Sequence, residues 1–161
     1  MPNPPLEFHI PGLAEPLRMM HVPGGRFIMG ASTDPKHPNY DPDAQSDERP
    51  HPVILDDFYL AEYPVTQDVW EAVMGNNPSD FKKNGARRPV ENVSWFDAAV
   101  FCNRLSVEHD RRPCYRTSAG AVFGRYKNDH WNLPNAGDVA LDLQADGFRL
   151  PTEAEWELAA R

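Results

Sequence analysis

The side chains with most to offer chemically are Cys102 and Cys114, six histidines, the acidic run Asp41-Pro-Asp-Ala-Gln-Ser-Asp-Glu48, and Glu153, Glu155 and Glu157. Thiolates are nucleophiles and soft ligands for copper(I), but only where the thiol can ionise. Cys102 falls on the same helical face as Ala98 and Leu105, with Phe101 beside it, and a cysteine on such a face packs as a small hydrophobe. Cys114 lies between Arg112 and Arg116, whose charges would lower its pKa, yet it too reads as a packed cysteine rather than a reactive one. Two cysteines do not make a disulfide framework, and in a reducing compartment both remain thiols.

The other groups have structural readings that account for them without a substrate. The acidic run fails the calcium-loop template, because Ser46 stands where the turn glycine is needed and Pro52 where the twelfth-position glutamate is needed; it reads as a solvated loop. His9, His21, His37, His51, His109 and His130 include no two that are three to five residues apart, so zinc-finger and HExxH spacings are excluded. Glu153 and Glu155 suit the positive end of a helix, and Glu157 can pair with Arg161 one turn later. There is no G-x-S-x-G elbow and no glycine-rich phosphate loop, and Gly24, Gly25 and Gly30 read as turn residues. No catalytic, cofactor-binding or metal residue is assigned to this chain.

These groups must be positioned by short elements. Seventeen prolines in 161 residues are spread along the chain, which predicts a loop-rich domain with short strands and few helices. Residues 1–17 read as an extended lead-in. Arg18 to Met29 reads as a hairpin turning at Pro23-Gly24-Gly25. After a polar loop, Val53 to Leu60 reads as a strand bent at Asp56-Asp57. A first helix is expected after Pro64-Val65, capped by Thr66, with Val69, Trp70, Val73 and Met74 on one face and Gly75 as its stop. Ser94 and Asp97 form a capping box for a second helix, and Thr152 and Glu155 for a third. A short strand is expected around Cys114-Tyr115-Arg116. Residues 117–146 read as irregular, with Trp131 and Leu133 as anchors.

Charge and length narrow the class of function. A net charge of −8 argues against nucleic acid as a partner, and the one basic cluster, Lys82-Lys83 with Arg87-Arg88, is short. No window approaches 18 apolar residues, so no membrane span is expected. Met1-Pro-Asn-Pro-Pro5 lacks the basic and apolar regions of a signal peptide, which makes the cytoplasm the expected location.

Five runs in chain order resemble one family: Val22-Pro-Gly-Gly-Arg-Phe-Ile-Met-Gly30; Asp47 through Leu60; Glu62-Tyr-Pro-Val-Thr-Gln67 with Trp70; Pro89 through Ala98 with Phe101-Cys-Asn-Arg-Leu105; and Arg149-Leu-Pro-Thr-Glu-Ala-Glu-Trp-Glu157. They are similar to the formylglycine-generating enzyme and sulfatase-modifying factor family. The resemblance implies a loop-rich α+β fold of C-type-lectin type. It also implies that residues 18–161 are the N-terminal part of the domain, incomplete at the C-terminus. The third helix reaches Arg161 without a cap, which fits that expectation.

By the same resemblance, the full-length parent would oxidise a protein cysteine to formylglycine. Its copper-binding cysteines and calcium ligands would lie in the second half, so this chain alone is expected to be inactive, with copper and calcium belonging to the parent. Cys102 matches a helix position that in some relatives pairs with a cysteine on the closing strand. Two other roles fit the resemblance. One is a non-catalytic lectin-like display module, such as a variable protein of a diversity-generating retroelement. The other is a regulatory domain of a multidomain protein. The partner expected is a protein or peptide substrate or ligand, met through the C-terminal half that this chain lacks.

Overall fold

The computed structural model describes residues 3–83, 85–118, 120 and 139–161. Among the described residues, seven short strands and three helices follow in the order β1 (Leu6–Phe8), β2 (Leu17–Val22), β3 (Gly25–Met29), β4 (His51–Leu55), β5 (Phe58–Ala61), α1 (Gln67–Met74), α2 (Trp95–Glu108), β6 (Tyr115–Thr117), β7 (Val139–Leu141) and α3 (Glu153–Ala160). The strands form three small sheets, ordered β1-β2-β5, β3-β4 and β6-β7. Two compact units result. A strand-rich unit comprises Met1–Leu6, Met19–Leu60 and Pro151–Arg161; a helical unit comprises Glu7–Arg18 and Ala61–Leu150.

The helical unit holds the apolar core. Trp70 of α1 stacks flat on Phe101 of α2, with ring centroids 5.2 Å apart. Ala99, Val100, Cys102, Leu105, Cys114, Tyr115 and Ile10 complete the buried cluster. The buried arc of α2 is wider than the Ala98-Cys102-Leu105 stripe: Asn103 and Ser106 are buried as well, and Ala98 itself is only partly covered. Residues 1–17, read as a lead-in, carry β1 and contribute Ile10 to this core.

Helix boundaries follow the capping chemistry. Ser94 Oγ accepts from Asp97 N–H while the Asp97 carboxylate accepts from Ser94 N–H, closing the box at the start of α2. Thr66 caps α1 by backbone conformation only, since its hydroxyl donates to the Asp68 carboxylate instead of accepting from the helix. At the far end of α1, Gly75 N–H donates to Glu71 O, and the Arg104 guanidinium donates to Val73 O and Met74 O at 3.0 and 3.1 Å.

In the strand-rich unit the expected hairpin is not formed. β2 belongs to the β1-β2-β5 sheet, whereas β3 pairs antiparallel with β4, from Gly25 opposite Leu55 to Met29 opposite His51. The physical reason lies at Gly24. A Cβ there would fall 2.3 Å from Leu55 O and 2.4 Å from Asp56 C, so the chain turns a corner against the β4–β5 link rather than folding back on β2. The bend read at Asp56-Asp57 is the matching event: it separates β4 from β5 and passes the chain between two sheets. α3 packs on β3 and β4, with the Arg161 guanidinium over the Phe27 ring at 5.7 Å.

β6 falls where a short strand was expected and pairs with β7, Tyr115 opposite Leu141. β7 lies inside the stretch read as irregular, because three residues are too few to show a period. Trp131, Leu133 and His130 lie outside the described residues.

Candidate functional site

Asn103 organises the surroundings of both cysteines. Its side chain donates to Tyr115 O at 2.9 Å and accepts from Tyr115 N–H at 3.0 Å, so one buried amide clamps the start of β6 to α2. Ser106 Oγ donates to Cys102 O at 2.7 Å and accepts from Phe148 N–H at 2.8 Å. Gly147 allows this approach, since a Cβ there would lie 2.3 Å from Arg112 O and 2.5 Å from Ser106 Oγ. Tyr115 Oη accepts from Leu150 N–H at 3.0 Å. Phe148 and Leu150, ahead of the third helix, are thus held by the hydroxyls of Ser106 and Tyr115.

Both thiols sit inside this packing. Cys102 is 7% exposed and Cys114 1%, and both are free. Burial pushes the Cys102 thiol up to about 12 and raises that of Cys114 as well. For Cys114, the lowering expected from flanking arginines is outweighed: Arg116 pairs with Asp142 and Arg112 with Asp146 at the surface, while the sulfur is desolvated. Desolvation of this kind disfavours the thiolate, the form that acts as a nucleophile or soft metal ligand. Tyr115 is pushed up to about 12 by the same burial.

In the strand-rich unit the glutamates of the third helix act as scaffold. Glu155 is buried; its carboxylate accepts from Thr152 N–H at 2.8 Å and Thr152 Oγ1 accepts from Glu155 N–H, the expected capping box. Glu157 does more than pair with Arg161. Its two oxygens accept from Gly30 N–H at 2.9 and 3.2 Å, and Arg161 donates to Asn39 Oδ1 and Gly30 O. Asn39 Nδ2 also donates to Gly30 O. Three side chains clasp Gly30, where the acidic loop leaves the sheet; Ala31 N–H to Glu48 O, at 2.7 Å, closes that loop. Within the loop, Asp41 accepts from Asp43 N–H and Glu48 from Gln45 N–H. Glu153 is exposed.

Sequence reasoning also missed the pairing of His21 with Asp57. His21 Nε2 lies 3.0 Å from Asp57 Oδ2, and Asp57 Oδ1 accepts from Gly24 N–H at 2.9 Å. That backbone bond, and then His21, hold the Asp57 carboxyl below the usual carboxylate range. The His21 ring meets Tyr59 edge-on at 5.4 Å. Thirty-six residues separate the two partners, so no spacing rule could have joined them. His37 and His51, which loop folding could have brought together, instead bond locally to Asn39 N–H and Arg49 O. Among the described residues, no three His, Cys, Asp or Glu side chains are grouped to hold a metal ion.

An α+β, loop-rich, C-type-lectin-like scaffold is the class these elements define. The chain matches the sulfatase-modifying factor enzyme 1-like domain over residues 12–161 and belongs to that family. It is similar to the chaperone protein LppX of Paenibacillus barcinonensis, 44% identical over 108 residues, covering 67% of this chain and 37% of that protein. It is similar to the inactive C-alpha-formylglycine-generating enzyme 2 of Bos taurus, 27% identical over 171 residues, covering 93% and 50%. The structure superposes on Treponema denticola variable protein 1 with a TM-score of 0.79 and 35% identity, over 97% of this chain and 56% of that one. The chain therefore spans about half the length, or less, of the proteins it matches.

Proposed function

We propose that this chain is the scaffold part of a formylglycine-generating-enzyme-like protein, and that a protein of the relatives' full length oxidises a cysteine of a polypeptide to formylglycine. The observation that carries this reading is the state of the thiols. A copper-dependent oxidase needs accessible, ionisable cysteines, and both of these are desolvated core residues. The copper-binding thiols, and the calcium ligands, are assigned to residues beyond the 161 in hand. What these residues do is position: Ser106 and Tyr115 hold Phe148 and Leu150 ahead of α3, and Glu157 with Arg161 fixes the exit of the acidic loop. The polypeptide partner belongs to this reading. So does a cytoplasmic location, which free rather than bridged cysteines support. No helix among the described residues is long and apolar enough to cross a membrane.

The test is formylglycine formation on a Cys-x-Pro-x-Arg peptide with added copper, read by mass spectrometry. The 161-residue chain alone is expected to give nothing above a no-protein control, and the full-length protein to give product. Turnover by the chain alone would sink the scaffold reading. A second reading is a ligand-display module without chemistry, favoured by the likeness to the variable protein of Treponema denticola. A full-length protein that binds a polypeptide and leaves its cysteine unoxidised would select it.

A further inference from the structure

The two edges of the β3-β4 sheet are finished differently. On β3, Asn39 Nδ2 donates to Ile28 O at 2.9 Å and Glu157 accepts from Gly30 N–H, so outward backbone groups of that edge are taken. On β4 the corresponding groups are open. Arg26 stands opposite Ile54, and Ile28 opposite Pro52. Pro52 has no N–H to give and Ile28 O faces Asn39, so these are the non-hydrogen-bonded pairs of an antiparallel ladder. The N–H and C=O of Ile54 therefore point away from β3. Among the described residues neither has a hydrogen-bond partner, and β4 has no second strand beside it.

The side chains of this edge are open as well. Ile54 is 75% exposed and Ile28 41%, and the two are diagonal neighbours on one face of the sheet. The strand His51-Pro52-Val53-Ile54-Leu55 carries no carboxylate, lysine or arginine to keep another strand away. Pro52 gives partial protection: it prevents pairing centred on itself and leaves Ile54 usable.

An open N–H and an open C=O on one residue are complementary to themselves. About a two-fold axis at Ile54, each copy donates its N–H to the C=O of the other. Pro52 then falls opposite Asp56 of the second copy, where β4 has already ended, so its missing N–H costs the seam nothing. The two Ile54 side chains become direct cross-strand neighbours, and with both Ile28 side chains they form one apolar strip. No like charges meet in register, because the paired strands are uncharged apart from any proton on His51. We propose that β4 pairs antiparallel with β4 of a second copy of this chain, centred on Ile54, to make a four-stranded sheet. The seam is short and falls among small interfaces, below about 1,200 Å² buried, so the dimer forms at high protein concentration. Neither reading of the function depends on this edge.

Sedimentation equilibrium of the 161-residue chain should show a reversible rise from 18.2 kDa towards twice that mass. The rise is expected between about 10 µM and about 1 mM protein. Each chain carries a net charge of −8 while the seam carries none, so added salt should strengthen the dimer by screening the repulsion between copies. Deuterium exchange at the Ile54 amide should slow as concentration rises, while that of Val53, already bonded within the ladder, should not change. Ile54→Lys should weaken association about tenfold or more, since it sets two ammonium groups side by side at the axis. Ile28→Lys, one strand back from the seam, should do much less. Both side chains face solvent, so urea midpoints should stay near that of the parent chain; if Ile54→Lys does unfold, amide exchange in the parent chain carries the test. The proposal is overturned by a monomer at every concentration, by a dimer that salt weakens, or by an Ile54 amide that exchanges equally fast throughout. It is overturned too if Ile28→Lys weakens association as much as Ile54→Lys, which would mark face-to-face stacking.

Discussion

The helical and strand-rich units hold their key segments by different means. In the helical unit, the Trp70–Phe101 stack and the Asn103 clamp on Tyr115 are shut away from water, so their strength is independent of salt. In the strand-rich unit, Gly30 is held by the half-exposed ion pair Glu157–Arg161 and by Asn39, and a corner is fixed by the exposed carboxylate of Asp57. The difference teaches that the motif running from Gly147 to Arg161 serves two physical regimes. Its first four residues dock onto buried hydroxyls, and its last turn makes charge-assisted bonds near solvent.

Substitutions can break this comparison, and their effects should fall in order. Trp70→Ala should cost about 3–5 kcal/mol in urea unfolding, since it removes a fully packed aromatic and leaves a cavity. Asn103→Ala should cost about 2–4 kcal/mol, because it removes both buried bonds that its amide makes to the Tyr115 backbone. Gly24→Ala should cost about 1–3 kcal/mol, because its new methyl has no room against Leu55 and Asp56. Arg161→Ala should cost under about 1 kcal/mol and lose even that at high salt, as half-exposed ion pairs do. If Arg161→Ala proved as damaging as Asn103→Ala, or if Asn103→Ala were strongly salt-dependent, the distinction between the units would fail.

Titration of the thiols sharpens the same point. Cys102 has a folded pKa of about 12 against an ordinary 9.0, so the folded state favours the neutral thiol. Its contribution to stability is fully present below pH 9 and is lost as pH rises from there towards 12, where the unfolded chain binds fewer protons. Replacing Cys102 and Cys114 together by Ala should reduce that alkaline slope in pH-dependent urea midpoints.

Much of the scaffold was legible because capping chemistry is local. Ser94 with Asp97 and Thr152 with Glu155 are written three residues apart, and each set a helix start correctly. The five resembling runs identified the family, which spans residues 12–161. What could not be read was pairing at a distance. Pro23-Gly24-Gly25 carries the signal of a hairpin turn, and only the close approach to Leu55 and Asp56 shows it to be a corner. The bonds from Glu157 to Gly30, from His21 to Asp57 and from Asn103 to Tyr115 join residues with no local signature. Cys114 was legible as well: despite an arginine two residues away on either side it reads as a packed cysteine, and burial governs it.

Thiol accessibility tests the central claim most directly, that this chain is scaffold with its cysteines sealed in the core. Native protein mixed with Ellman's reagent at mildly alkaline pH should release almost no thionitrobenzoate, while the same sample in guanidinium should react promptly with both thiols. Prompt reaction of Cys102 or Cys114 in the native chain would contradict the account and make that cysteine a candidate for chemistry.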